Sequence, residues 1–303
     1  MKKNLIKLSI IALILVLAGL NACKSDKSGT AKHQEIGDQE ASEIADRIDQ
    51  IKTVYHLCPS PAEMLSVINV SGMEYKGSLL NPAENVQNYY DSKSQTLILG
   101  VYITDLAYTA LFGRHEETIN YLEVVQQVSE QVRVTGAINE GLINRAKNNV
   151  EYLDSLFSIS NEAFINMLLY CEKNKRPNTI VLLSAGAFIE SLYLAVNFIE
   201  SYDATDYIVN HVAEQKYALD NLMTFAESLS DDPNVAGVIE DLQPIVSLYE
   251  TIGTSTGTTT VKKESENKLV IGGGKKVSLS EENFNQLKAL TLEIRENIVS
   301  NNM

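Results

Sequence analysis

Apolar residues recur at steps of three and four along most of this chain, the period of an α-helix. Between Glu40 and Leu57 the residues Ile44, Ile48, Ile51 and Val54 form one apolar stripe, which Pro59 ends. Ser60-Pro61-Ala62-Glu63 reads as a helix start, with a capping serine, a proline in the first turn and a glutamate placed to reach back. Met64, Leu65 and Ile68 follow on one face, and Ser71-Gly72 stops the helix. Residues 73–90 read as a loop with a second start near Asn81-Pro82. Helical patterns then cover 92–112, 115–133, 139–158, 160–174, 178–201, 204–229 and 234–251, punctuated by Gly113, Gly136, Pro177 and Asp232-Pro233. Residues 253–277 break the rhythm with β-branched runs around a charged turn, and a last helix runs from Ser280 to Val299. The pattern predicts a mainly α protein, a helical bundle over 41–303 with a small β-hairpin or flexible insertion at 253–277.

Two of these helices are apolar on nearly every face, 97–112 and 180–199, and such helices belong in a core. They also echo each other. GVYITDL from Gly100 aligns with GAFIESL from Gly186, VVQQVSEQ from Val124 with IVNHVAEQ from Ile208, and Leu142, Ile143, Ala146 and Val150 with Val238, Ile239, Leu242 and Val246. The matches suggest two divergent three-helix repeats, 92–160 and 178–252, burying a shared face. The two apolar helices are then expected in contact, antiparallel or crossing. Each carries one central acid, Asp105 or Glu190. An unpaired buried charge costs several kcal/mol, so each acid needs a partner or must be neutral. Tyr102, Tyr108 and Tyr193 lie one turn away as hydroxyl donors, and Arg114, Arg145 or Lys216 are candidate charges. These five residues, Tyr102, Asp105, Tyr108, Glu190 and Tyr193, form either a buried polar network that pins helix packing or the lining of a pocket between the halves.

The N-terminus carries an address. Lys2 and Lys3, an apolar run from Leu8 to Leu20 and then Leu20-Asn21-Ala22-Cys23 have the three-part layout of a secretory signal peptide over residues 1–22. The apolar part is short of the roughly 20 residues that span a bilayer. Its end resembles the bacterial lipoprotein box, in which the cysteine thiol receives diacylglycerol before cleavage; that resemblance implies lipidation at Cys23, with Asn21 departing from the usual small residue. Several acyl chains give stable attachment to the bilayer. Residues 23–40 are polar and read as a lipidated tether with a reach of roughly 20 to 25 Å. Lys24 stands where the inner-membrane retention signal of enterobacterial lipoproteins has aspartate, which points to the outer membrane.

Charge then narrows the partners. The formal charge of −14 becomes −17 once Lys2, Lys3 and Lys7 leave with the signal peptide. So acidic a surface repels nucleic acid and anionic lipid headgroups, and neither is expected as a partner. Cys58 and Cys171 remain beside Cys23, either paired or as two buried thiols. None of His33, His56, His115 and His211 has the glutamate three residues before it that a ferritin-like metal site needs, and no HExxH or GxSxG occurs. His211 and Glu214 share a helix face, but two ligands make no metal site. Gly272-Gly273-Gly274-Lys275 fails as a phosphate loop, because Leu269 stands where that motif needs its first glycine. No cofactor or metal is implied.

In chain order, CPSPAEM, LLNP, LGVYITDLAY, AGAFIESLY, EQKYALDNL and LEIRENIV resemble segments of uncharacterised helical lipoproteins of Bacteroidota cell envelopes. The resemblance spans nearly all of the mature chain and implies a tethered helical domain without implying an activity. The expectation is an outer-membrane lipoprotein, facing either side, that binds or scaffolds an envelope protein or small ligand. The alternative is an envelope hydrolase with Asp105 and Glu190 as acid and base, which would require an open cleft.

Overall fold

The computed structural model describes residues 60–301, except 71, 139, 149–152, 253, 257–259, 266–267 and 273–274. The signal peptide, Cys23, the tether, the helix expected from Glu40 to Leu57 and Cys58 lie outside the described residues. Within them the protein is a mainly α bundle: α1 (Pro61–Val70), α2 (Ser92–Leu111), α3 (His115–Gln131), α4 (Glu140–Asn148), α5 (Leu153–Lys173), α6 (Pro177–Phe198), α7 (Tyr207–Glu227), α8 (Pro233–Thr251) and α9 (Glu281–Val299). A strap of two 3-10 turns, Gly77–Leu79 and Ala83–Asn88, joins α1 to α2. Between α8 and α9, β1 (Thr254–Thr256) pairs antiparallel with β4 (Lys275–Val277), and β2 (Thr260–Ser265) with β3 (Lys268–Gly272).

Local chemistry sets the helix starts. Asp91 caps α2 by accepting the Ser94 N–H at 2.9 Å, Asp206 caps α7 through Ile208 at 2.7 Å, and Ser280 caps α9 through Asn283 at 3.1 Å. Asp232 takes two N–H groups of α8, from Asn234 and Val235. The break expected near residue 159 does not occur, and α5 runs through it. Ser160 is accommodated because its hydroxyl turns back onto the Phe157 carbonyl at 2.7 Å. α3 ends close to where expected and Gly136 falls in the gap before α4; the chain turns left-handed at Arg133 (φ 61°), and the Arg176 guanidinium caps that end through the carbonyls of Val132 and Arg133. Gly136 instead leaves room for a ring, since a Cβ there would lie 2.4 Å from Tyr170 Cε2.

Helices α2 and α6 form the centre. α1, α3 and α5 pack on α2, while α1, α7, α8 and α9 pack on α6. The expected contact between the two apolar helices is made, but they run parallel. Ser92 and Thr96 at the start of α2 share one cavity of about 310 Å³ with Pro177, Asn178 and Thr179 at the start of α6. At the other end the Phe112 and Phe198 rings stack with centroids 6.1 Å apart. Three intervening helices, an odd number, return the chain in its original direction. Where the helices meet, backbone touches backbone. A Cβ on Gly100 would lie 2.2 Å from the Leu183 oxygen, and one on Gly186 would lie 2.0 Å from the Leu97 oxygen. These glycines are the first residues of the aligned GVYITDL and GAFIESL segments, and their contacts are reciprocal.

Neither Gly100→Ala nor Gly186→Ala can be absorbed by side-chain movement, because the obstacle is main chain. Each is expected to lower stability by about 3 kcal/mol or more, the upper range for overpacking. Gly237→Ala in α8 meets only the end of the flexible Lys93 side chain and is expected to be neutral or to stabilise by up to about 1 kcal/mol through helix propensity. Denaturant midpoints of the three variants check the ordering.

Candidate functional site

The close approach of α2 and α6 governs what lies one turn beyond it. Thr104, four residues past Gly100, donates to the Gly100 carbonyl at 2.9 Å and lies 3.4 Å from the Ala187 carbonyl of the other helix. Asp105 and Glu190 come next, both with no solvent exposure. The strap and α9 close over them. Asp105 Oδ2 accepts the Asn81 backbone N–H at 3.2 Å. Glu190 receives both arms of the Arg295 guanidinium, Nε to Oε2 at 2.9 Å and Nη2 to Oε1 at 3.1 Å, a two-point geometry that favours arginine. The same Nη2 also donates to the Leu79 carbonyl at 3.0 Å. The Tyr193 ring lies under the guanidinium, 4.4 Å from centroid to Cζ.

Two carboxyls and one guanidinium would leave a net buried negative charge if both acids were ionised. The arrangement removes it by keeping Asp105 protonated. Burial pushes its pKa well above the ordinary 3.8, and the neighbouring Glu190 charge adds to the rise; Arg295 only partly offsets them. Asp105 Oδ1 is fully buried and meets no donor. In its neutral form the Asp105 carboxyl can donate as well as accept, which removes the repulsion between it and the Glu190 carboxylate. Burial alone would lower the Arg295 pKa, but Glu190 reverses the shift and holds the guanidinium charged.

A shell of tyrosines holds the strap. Tyr102 donates to the Pro82 carbonyl at 3.0 Å, Tyr121 to the Asn81 carbonyl at 3.0 Å, and Tyr89 to the Val299 carbonyl at 2.9 Å while accepting from Asn81 Nδ2 at 3.1 Å. Burial raises the pKa of all three, so their hydroxyls stay protonated as donors. Tyr108 accepts the Lys76 N–H at 2.9 Å, and burial moves its pKa up to about 12.

The structure thus gathers Asp105, Glu190 and Tyr193 into one cluster and aims Tyr102 and Tyr108 elsewhere. A tyrosine hydroxyl stands at the end of a long side chain, beyond its helical neighbours, and reaches the strap packed outside. The candidate cations also go elsewhere: Arg114 pairs with Glu117, Arg145 with Glu162 and Lys216 with Asp220. Sequence reasoning missed Arg295, Asn81 and the strap carbonyls. Arg295 had a signal, since it stands four residues after Thr291 on the buried face of α9, beside Ile294 and Ile298. The Asn81 N–H is a main-chain group and left none. Neither acid lines the described cavities. Cys171 is a buried free thiol whose pKa burial pushes up to about 11.

No family model, no curated protein and no solved structure matches the chain.

The two acids are therefore not equivalent. Glu190→Gln leaves a buried guanidinium without its counter-charge and is expected to cost about 3 to 5 kcal/mol. Asp105→Asn keeps an acceptor for Asn81 and a donor for Glu190, and is expected to be close to neutral in mild acid. The native Asp105 proton is lost from the unfolded chain above pH 3.8, so the stability this group contributes is full below that pH and falls as pH rises toward its elevated folded value. Asp105→Asn has no such loss. Its stability relative to the parent should rise with pH by up to about 1.4 kcal/mol per unit, measured by denaturant midpoints from mildly acidic to neutral pH.

Proposed function

We propose that this chain is an acylated lipoprotein of the outer membrane whose helical domain binds or scaffolds another envelope component, protein or small ligand. The observation that carries the reading is the N-terminal series Lys2-Lys3, Leu8 to Leu20 and Leu20-Asn21-Ala22-Cys23, with a polar tether after it. The domain supports it in two ways. Among the described residues, α6 alone is long and apolar enough to cross a membrane, and nearly all of it is buried inside the bundle. Asp105 and Glu190, for their part, are sealed under the strap and spent on each other, Asn81 and Arg295. An acid and base pair acting on an external bond needs access to it, so this geometry favours a binding or scaffolding role over a hydrolase.

Cys23→Ala tests the anchor. Cells fed labelled palmitate are expected to label the parent protein and leave the variant unlabelled, and the variant is expected to move from the membrane to the soluble fraction. A variant that stays wholly in the membrane fraction and still takes up label would place the anchor elsewhere and end the lipoprotein reading.

A further inference from the structure

The loop that follows α1 and the carbonyl end of α6 line a cavity of about 430 Å³, within the roughly 300 to 1,000 Å³ of small-ligand sites. It lies at the end of the core pair opposite Ser92 and Pro177, away from the buried acids. Its floor is apolar, formed by the buried Phe198 and Ile199 with the half-buried Met73. Charges of both signs stand around that floor, Lys76 with Glu74 and Glu200. Asp206 lines the cavity too, but it is spent on capping α7 through the Ile208 N–H.

The cation is held in place without being satisfied. The Lys76 N–H donates to the Tyr108 hydroxyl at 2.9 Å, which ties the residue to α2, and its ammonium lies 5.3 Å from the centre of the Phe198 ring. The ammonium reaches the Asn197 carbonyl at 3.5 Å and Glu200 at 3.8 Å. Ammonium groups close to about 2.7 to 2.9 Å on an anionic oxygen, so Lys76 has donors open to a better acceptor. A second cation adds to the excess. Burial lowers the Lys288 pKa below its ordinary 10.5, and the Lys76 charge lowers it further, so the ammonium from α9 stands within electrostatic reach of the one in the loop. Lys288 has no carboxylate partner among the described residues. Two half-buried ammoniums that repel each other are relieved by an anion between them.

The acids make the opposite demand. Glu74 and Glu200 are exposed carboxylates beside the carbonyl end of α6, where the helix dipole favours a cation. An inorganic anion would answer the lysines and leave the floor and the glutamates unused, and a plain hydrocarbon would answer the floor alone. All three features are met by a molecule with a carboxylate at one end, an ammonium at the other and an apolar body between.

We propose that this cavity binds short peptides that have a free amino end, a free carboxyl end and apolar side chains. The peptide carboxylate lies between Lys76 and Lys288, the apolar side chains cover Phe198, Ile199 and Met73, and the peptide ammonium faces Glu200 and Glu74. The proposal rests on the binding role given above and names its ligand class.

The test titrates the full-length chain, purified from cells in a non-ionic detergent, with leucyl-leucine, N-acetyl-leucyl-leucine and leucyl-leucine amide by isothermal calorimetry. The parent is expected to bind leucyl-leucine and to bind each blocked peptide about tenfold or more weakly, the loss of one charge-assisted contact. Lys76→Gln is expected to bind leucyl-leucine and its amide alike while still preferring a free amino end, and Lys288→Gln to shift in the same direction. Glu200→Gln is expected to narrow the preference for a free amino end and keep that for a free carboxyl end. Misfolding cannot produce this crossed pattern, since it would abolish all binding together. A parent that binds none of the three peptides overturns the proposal, as does a parent indifferent to either block. Lysine variants that still separate leucyl-leucine from its amide overturn it as well. Tighter binding of the acetylated peptide than of leucyl-leucine also overturns it, and assigns the lysines to a simple anion site. Failure here leaves the Cys23 labelling result standing, and a chain that binds leucyl-leucine without taking up palmitate ends the anchor alone.

Discussion

The contact of main chain against main chain at Gly100 and Gly186 sets the separation of α2 and α6, and the rest of the bundle is arranged around that separation. With any side chain at either position the helices would stand further apart. Thr104 would then lose its approach to the Ala187 carbonyl, and Asp105 and Glu190 would no longer meet. Running parallel, the pair also brings two helix dipoles together with like ends adjacent. The protein offsets this at both ends. Asp91 and Asp232 cap the starts of α2 and α8, and Asn178 in the first turn of α6 donates to Asp232 at 2.7 Å. At the far end the Lys76 ammonium lies 3.5 Å from the Asn197 carbonyl of α6 and 5.3 Å from the Phe198 ring.

The buried triad of Asp105, Glu190 and Arg295 follows from that geometry and has a different physical role. Well-packed apolar residues in the same volume would hold the helices at least as firmly. What the triad adds is specificity of register, because its partners are scattered: Asn81 in the strap, Leu79 two residues earlier, and Arg295 at the far end of the chain. A strap shifted by one residue would present the wrong main-chain groups to Asp105 and Arg295, leaving buried polar atoms unpaired. The tyrosine hydroxyls repeat the constraint at Pro82, Asn81 and Val299. The proton on Asp105 completes the balance, making the cluster neutral without a second cation.

Charge is thus handled in opposite ways inside and outside. In the core it is neutralised residue by residue. On the surface it is left unbalanced, at a formal −14 over the whole chain. Neutralisation inside is required by the cost of desolvating charge, whereas outside water and salt carry that cost and leave the distribution free for other uses.

Most helix positions, the starts near Asp232-Pro233 and Ser280, the two core helices and the presence of an acid in each were readable from the order of residues alone. These features depend on neighbours three or four positions apart, and a helix carries that information locally. The break in helical rhythm after α8 was legible too, as β-branched runs around a charged turn that left a hairpin or a flexible insertion open. The partner of Glu190 was not, since Arg295 is 105 residues away and competes in the sequence with Arg114, Arg145 and Lys216, which are equally suited as isolated side chains. Nor was the parallel direction of α2 and α6, which is fixed by which ends meet, Ser92 and Thr96 beside Pro177 to Thr179 and Phe112 on Phe198, nor the Asn81 N–H, which every non-proline residue possesses. The protonation of Asp105 belongs with these. A carboxyl has no fixed charge until its surroundings are known, and folding alone brings burial, Glu190 and Arg295 to bear on it at once.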